Sequence, residues 1–204
     1  GILQVIVSSS YNCAQVAELE YACGLGPHSF TGLRVRISPW ANMKYTTSST
    51  EQTGALARQL AAKLKGGDIV LLVGELGSGK TTFVKGLAQT LGIKEKITSP
   101  TFTLMRMHKV KRNNKITKRR NNKRVVQLFS NSVVKFFVHI DAYRIKSARE
   151  LRDVGLMDWL GRPDTFTVVE WGEKIKPLLK GQRYLMIKFK YGKQENERLI
   201  TLLR

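Results

Sequence analysis

Ile69-Val70-Leu71-Leu72-Val73 runs directly into Gly74-Glu75-Leu76-Gly77-Ser78-Gly79-Lys80-Thr81, and this junction decides the fold class. The first run is apolar and β-branched without alternation, as in a strand covered on both faces. The second fits G-x-x-x-x-G-K-[ST], the phosphate-binding loop. Phe83, Val84, Leu87, Ala88 and Leu91 then recur at helical spacing before Gly92, so strand, glycine loop and helix follow in order. Phosphate oxygens need many donors in a small concave space. Glycines let backbone N–H groups converge there, and a helix N-terminus adds its positive dipole. Glu75, Leu76, Gly77, Ser78, Gly79, Lys80, Thr81 and Thr82 are therefore the expected nucleotide-binding residues. Lys80 would bridge the β- and γ-phosphates, and the Thr81 hydroxyl would hold Mg²⁺.

Upstream of the loop, Ser48 and Glu51 make a capping-box spacing, and Leu56, Leu60 and Leu64 repeat every fourth residue toward Gly66-Gly67, which predicts a helix. Thr46-Thr47-Ser48-Ser49-Thr50 separates this helix from an irregular Ser-, Gly- and Thr-rich stretch. A boundary is expected there, with 1–46 not an independent domain and 47–204 the catalytic one. Downstream come a polar loop, Thr98-Ser99-Pro100-Thr101, and a strand from Phe102 to Met107. Val133 to Ile140 forms a further strand ending in Asp141. Ser147 and Glu150 cap a helix carrying Leu151 and Val154, and Thr165 to Val169 is a strand ending in Glu170. Tyr184 to Tyr191 and Arg198 to Leu203 close the chain as a strand pair. The expected fold is α/β, a three-layer P-loop NTPase-like domain with a mostly parallel or mixed central sheet and no internal repeat.

The chain has 204 residues and a formal net charge of +20, which points toward polyanions such as nucleic acid. Its distribution narrows that inference. Between Arg106 and Lys135 stand about eleven Lys and Arg and no Asp or Glu, so roughly half the excess lies in an insertion at about 108–132. Lysines and arginines without interleaved aromatics attract phosphate and read no bases, so this segment would contact a nucleic-acid backbone or stand as a solvated hairpin tip. No apolar run approaches the roughly 20 residues of a membrane-spanning helix. The opening GILQVIVSSS lacks the basic region and sustained apolar core of a secretion signal. Cys13 and Cys23 have no zinc-binding spacing and read as reduced thiols, consistent with a cytoplasmic location. His28, His108 and His139 are scattered, which favours structural or surface roles over metal ligation.

Mg²⁺ beside Thr81 calls for an acid at the end of a neighbouring strand. Asp141 and Glu170 both stand there, and together they are the candidate catalytic and metal residues with Lys80 and Thr81. Phosphoryl transfer needs one group to place the metal and another to orient the attacking water; the residues leave open which acid does which. Thr98, Ser99 and Thr101 form either a γ-phosphate-sensing switch or a proline-shaped turn. The chain lacks the [NT]-K-x-D pattern of guanine recognition and the H-R-D and D-F-G pieces of protein kinases, which favours ATP. A small-molecule P-loop kinase and a basic RNA-binding module stay open as alternatives, although no arginine-rich lid is evident near the loop.

GDIVLLVGELGSGKTTFVKGLAQTLGI, TSPTFTL, HIDAYRI, ELRDVGLMDWL and VVEWGEKI occur in that order. With these, about residues 48 to 204 resemble the TsaE family, the bacterial ATPases of tRNA threonylcarbamoyladenosine biosynthesis. The resemblance implies an ATP- and Mg²⁺-dependent accessory protein that binds TsaB- and TsaD-like partners and does not itself carry the threonylcarbamoyl chemistry. It also implies that Thr98 to Thr101 is the switch-like loop and Trp171 the tryptophan beside the nucleotide; chemistry alone would make Trp171 an ordinary core aromatic. The long basic insertion and Ala142, where a larger apolar residue is common, depart from the family pattern. Gly26-Pro27-His28-Ser29-Phe30-Thr31-Gly32-Leu33-Arg34 resembles the GPGSFTGLR motif of the TsaB family, with histidine in place of a glycine. A segment this short is too small to build that family's whole domain.

Overall fold

Residues 5–6, 43–100, 103–110, 134–153 and 155–203 are described by the computed structural model. Cys13, Cys23, the stretch around His28, Thr101, Phe102, the insertion from 111 onward, Val133 and Val154 lie outside them. Strands β1 (Val5–Ile6), β2 (Met43–Thr47), β3 (Ile69–Val73), β4 (Met105–Lys109), β5 (Phe136–Asp141), β6 (Thr165–Glu170), β7 (Tyr184–Tyr191) and β8 (Arg198–Leu203) form one sheet. Their spatial order is β1-β2-β8-β7-β3-β6-β5-β4. β7, β3, β6 and β5 run parallel at the centre, and the flanking pairings are antiparallel.

The third layer follows from the side-chain alternation of the central strands. Val70 and Leu72 of β3 pack with α1 (Thr50–Ala61) and α2 (Lys80–Thr90) through Leu56, Leu60, Phe83, Val84 and Leu87. Ile69 and Leu71 turn the other way and join Leu151 of α3 (Ala148–Asp153) with Leu156 and Leu179 of two short 3₁₀ turns and with Ile175, which links the second of these to the 3₁₀ turn before it. Each fully buried side chain of this size contributes about 1.5–3 kcal/mol relative to exposure. The two helices on the first face sit close together: a Cβ at Gly86 would lie 2.7 Å from both Ala57 Cβ and the Gly54 carbonyl. Gly92, at φ 72°, closes α2 with a paired bond set, Ile93 N–H to Ala88 O and Gly92 N–H to Gln89 O, both 3.1 Å, as a left-handed C′ residue should.

Several boundaries move from their sequence positions. Met43–Thr47 is a strand paired along β8, so the boundary expected at 46/47 falls inside an element of the sheet. Met43 and Tyr45 pack on the core, and Thr47 Oγ1 bonds Thr53 Oγ1 of α1 at 2.8 Å; the run of small polar residues hides that alternation. The cap of α1 is Ser49 rather than Ser48, its hydroxyl accepting from Gln52 N–H. Gln52 in turn accepts from Ser48 N–H at 2.8 Å, a capping arrangement shifted by one residue. α1 ends at Ala61, and Leu64 is buried just beyond it by a tighter turn, Lys63 N–H to Leu60 O and Leu64 N–H to Ala61 O. β4 begins at Met105, because Thr103 and Leu104 both donate to Pro100 O and Leu104 takes φ 62°. β5 pairs only from Phe136, where its register with Thr165 begins.

Candidate active site

The C-terminal ends of β3, β5 and β6 converge on the start of α2, where chemistry was expected. Gly77 and Gly79 adopt φ 75° and 100°, conformations that side chains disfavour, and they bend the loop over the helix end. A Cβ on Gly74 would lie 2.6 Å from Phe189 O, which keeps the loop's base tight against β7. The first helical bond of α2 is Phe83 N–H to Gly79 O, 2.9 Å, and no side chain caps the helix. The N–H groups of Lys80, Thr81 and Thr82 therefore have no intrahelical acceptor, an arrangement suited to an anion. Ser78 Oγ is buried without a hydrogen-bond partner beside them. These features fit a polyphosphate.

The loop's tip is tied down from the opposite half of the sheet. Leu76 is 73% exposed, yet its carbonyl accepts from Tyr191 Oη of β7. Arg198 of β8 donates to Gly77 O at 3.3 Å and lies 4.7 Å from the Tyr191 ring centroid. Sequence reading missed both residues, since neither lies in a motif and only the β7–β8 register brings them here.

Lys80 is 4% exposed. Its ammonium donates to Gly74 O and Glu75 O, each at 2.7 Å, and sits 4.2 Å from the centroid of the Trp171 ring. Burial holds its pKa below the ordinary lysine value, with Glu170, Glu173 and Asp141 pulling the other way.

β5 and β6 are in parallel register with Asp141 opposite Glu170, so the two acids leave neighbouring strand ends on the face toward α2. Each is 3% exposed. The Thr81 hydroxyl reaches Glu170 Oε2 at 2.8 Å and Oε1 at 3.1 Å. Asp141 Oδ1 accepts from Tyr143 N–H at 3.0 Å, and its Oδ2 accepts from the Ser99 hydroxyl. Mg²⁺ keeps several waters and typically takes one or two carboxylates plus phosphate oxygens; a hydroxyl and two acids at the loop's end fit that demand. Among the described residues no group of three or more His, Cys, Asp or Glu is arranged to hold an ion.

Trp171 follows Glu170 at φ 59°, and Gly172 behind it lies so close to Leu71 that a Cβ would meet Leu71 Cβ at 2.5 Å. That packed turn aims the indole over Lys80 and against Tyr143, 5.1 Å between ring centroids. Thr98 is placed differently: its hydroxyl accepts from Arg106 Nη1 at 2.8 Å, while its neighbour Ser99 bonds Asp141. Of the histidines, His108 pairs with Glu95 at 2.6 Å. His139, read from sequence as structural or superficial, is fully buried with Nε2 2.9 Å from Glu170 Oε1. A hollow of about 610 Å³, lined among others by Gly66, Gly67, Gln182 and Arg183, lies at the other end of β3 and β7.

Comparison with known proteins agrees with the order of motifs. The model of the family "Threonylcarbamoyl adenosine biosynthesis protein TsaE" matches residues 47–119 and 123–200. The tRNA threonylcarbamoyladenosine biosynthesis protein TsaE of Bacillus subtilis is 33% identical over 159 residues, covering 78% of this chain and 85% of the relative. Its Streptomyces coelicolor counterpart is 36% identical over 144 residues, 70% of this chain and 82% of that one. A crystal structure of Bacillus subtilis YdiB superposes with a TM-score of 0.54 at 30% identity, covering 79% of this chain and 84% of that one. Among the described residues, no helix is long and apolar enough to cross a membrane.

Proposed function

The chain belongs to the TsaE family, and on that premise we propose that it is a cytoplasmic ATPase of tRNA threonylcarbamoyladenosine modification. It binds ATP with Mg²⁺ on the loop from Gly74 to Thr81 and acts on TsaB- and TsaD-like partners. The observation that carries the reading is the juxtaposition of Asp141 and Glu170, set opposite each other by strand register, with the Thr81 hydroxyl bonded to Glu170. Free helix-end amides receive phosphate, and Lys80 leaves its two loop carbonyls to meet it. The bound Mg²⁺ supplies charge neutralisation of the phosphates. Thr81 and Asp141 hold the metal's protein side, and Glu170, the acid nearest Thr81, orients water and accepts its proton.

The bond between Ser99 and Asp141 supports a coupling of the 98–101 loop to nucleotide state. A loop fastened to a metal-binding acid changes its contacts when that acid changes its own. That movement would alter affinity for the partner complex. The basic insertion adds an electrostatic contact to tRNA backbone. Calorimetry of ATP binding with and without Mg²⁺, followed by a pull-down with TsaB- and TsaD-like proteins in each state, tests this function. Magnesium-dependent ATP uptake and nucleotide-dependent capture are expected. Absence of ATP uptake would sink it.

A further inference from the structure

Glu170 receives more than the Thr81 hydroxyl. The residue is 3% exposed, and a charge that deep needs donors on its remaining lone pairs. His139 provides one: it lies on β5 two residues before Asp141, across from Val168 of β6, and so diagonally from Glu170. Its Nε2 stands 2.9 Å from Oε1, whereas Thr81 favours Oε2, 2.8 Å against 3.1 Å. We propose that His139 is a positioning residue that ties down Oε1 of Glu170 and leaves Oε2 as the oxygen presented to Thr81 and the reacting water. The inference rests on the ATPase reading and names how its acid is oriented.

The imidazole's surroundings fix its tautomer. Nδ1 is buried and has no hydrogen-bond partner, and the ring stacks on Phe137 at 6.4 Å between centroids. A proton on Nε2 gives Glu170 a donor and leaves only a lone pair at Nδ1. The reverse tautomer would set a lone pair against the carboxylate and bury an N–H without an acceptor, which is the costlier arrangement. A histidine that served packing alone would need no particular atom at this spot, because Phe137 and Val168 already make the neighbourhood apolar. Hydrogen bonds that orient metal-site ligands typically change activity about 10- to 100-fold when removed, which sets the scale for a group orienting the acid beside the metal.

Two measurements on the full chain decide this. Nitrogen-15 NMR of the three histidines, assigned with His139→Gln, should show His139 as the Nε2–H tautomer, with a resonance that moves in Glu170→Gln. An Nδ1–H tautomer, or a signal indifferent to Glu170→Gln, overturns the proposal whether or not the protein hydrolyses ATP. In turnover, His139→Leu should lower kcat about 10- to 100-fold with KM for ATP within about threefold. His139→Gln, whose amide reaches near the Nε2 position, should recover most of the loss while melting like the wild type. Equal losses in Leu and Gln variants, or a loss confined to KM, would make His139 a core residue only. A wild-type chain that binds no ATP would instead defeat the ATPase reading and leave the NMR result standing.

Discussion

The phosphate loop and the acid pair are two halves of one site built in opposite ways. The loop is contiguous: glycines, lysine and threonine stand in consecutive positions between β3 and α2, and local backbone preferences fold them. Asp141 and Glu170 come from separate strands, and only the parallel register of β5 and β6 sets them side by side. Changes in the loop should therefore act on binding, through groups that face phosphate in ground and transition states alike. A change at Glu170 should act on turnover, through a group whose work begins when charge moves, while Asp141, on the metal's side, shares in binding.

The largest expected effect tests that division. Lys80→Ala removes the buried cation and its two loop bonds, and should weaken ATP binding about 100-fold or more with no detectable turnover; charge-assisted hydrogen bonds of about 1.5–3 kcal/mol each set this scale. Glu170→Gln keeps the shape and loses the charge, so kcat should fall about 100- to 1,000-fold while Kd stays within about threefold. Equilibrium binding and single-turnover hydrolysis on both variants check the contrast. If Glu170→Gln loses binding as severely as Lys80→Ala, the two halves are not divided in this way.

The same contrast explains what could be read from the sequence. Gly74 to Thr81 carries its own strand and helix signals, so fold class and loop were legible together. Asp141 and Glu170 were legible as acids at neighbouring strand ends, yet not as residues directly opposite each other, because register is a property of two strands. Tyr191, Arg198 and His139 were not legible as site residues. Each carries a single polar group whose contact depends on a segment distant in sequence, 115 residues in the case of Tyr191 and Leu76. β2 was overlooked because Thr46 and Thr47 read as turn residues, while the Met43, Tyr45 and Thr47 alternation is short and only partly apolar.

A smaller effect sharpens the picture of the loop. Gly77→Ala forces a side chain into φ 75° and sets its Cβ 2.9 Å from Tyr191 Oη. The left-handed conformation alone costs about 1–2 kcal/mol, equivalent to a 5- to 30-fold loss of ATP affinity if the loop distorts to relieve it. Tyr191→Phe removes the hydroxyl that crowds this position and also its bond to Leu76 O. Adding Tyr191→Phe to Gly77→Ala should recover part of the affinity, leaving the backbone cost. Full recovery in a titration of the double variant would show that crowding, not backbone conformation, requires glycine there.

The smallest expected effect is a proton. In the free protein burial depresses the Lys80 pKa from its ordinary value near 10.5, and phosphate oxygens that replace the loop carbonyls would raise it again. Between the free and bound values, nucleotide binding should therefore take up a fraction of a proton, and affinity should fall as pH rises through that window. The stability sign is consistent with this: the unfolded chain binds more protons at this group than the free folded one, so its contribution to stability increases with pH up to 10.5. Calorimetry at a series of pH values below 10.5, in buffers of different ionisation heat, measures the uptake directly. Lys80→Arg, charged at every such pH, should abolish it even where it still binds, and proton release in the wild type would mean that the carboxylates, not the lysine, answer to the nucleotide.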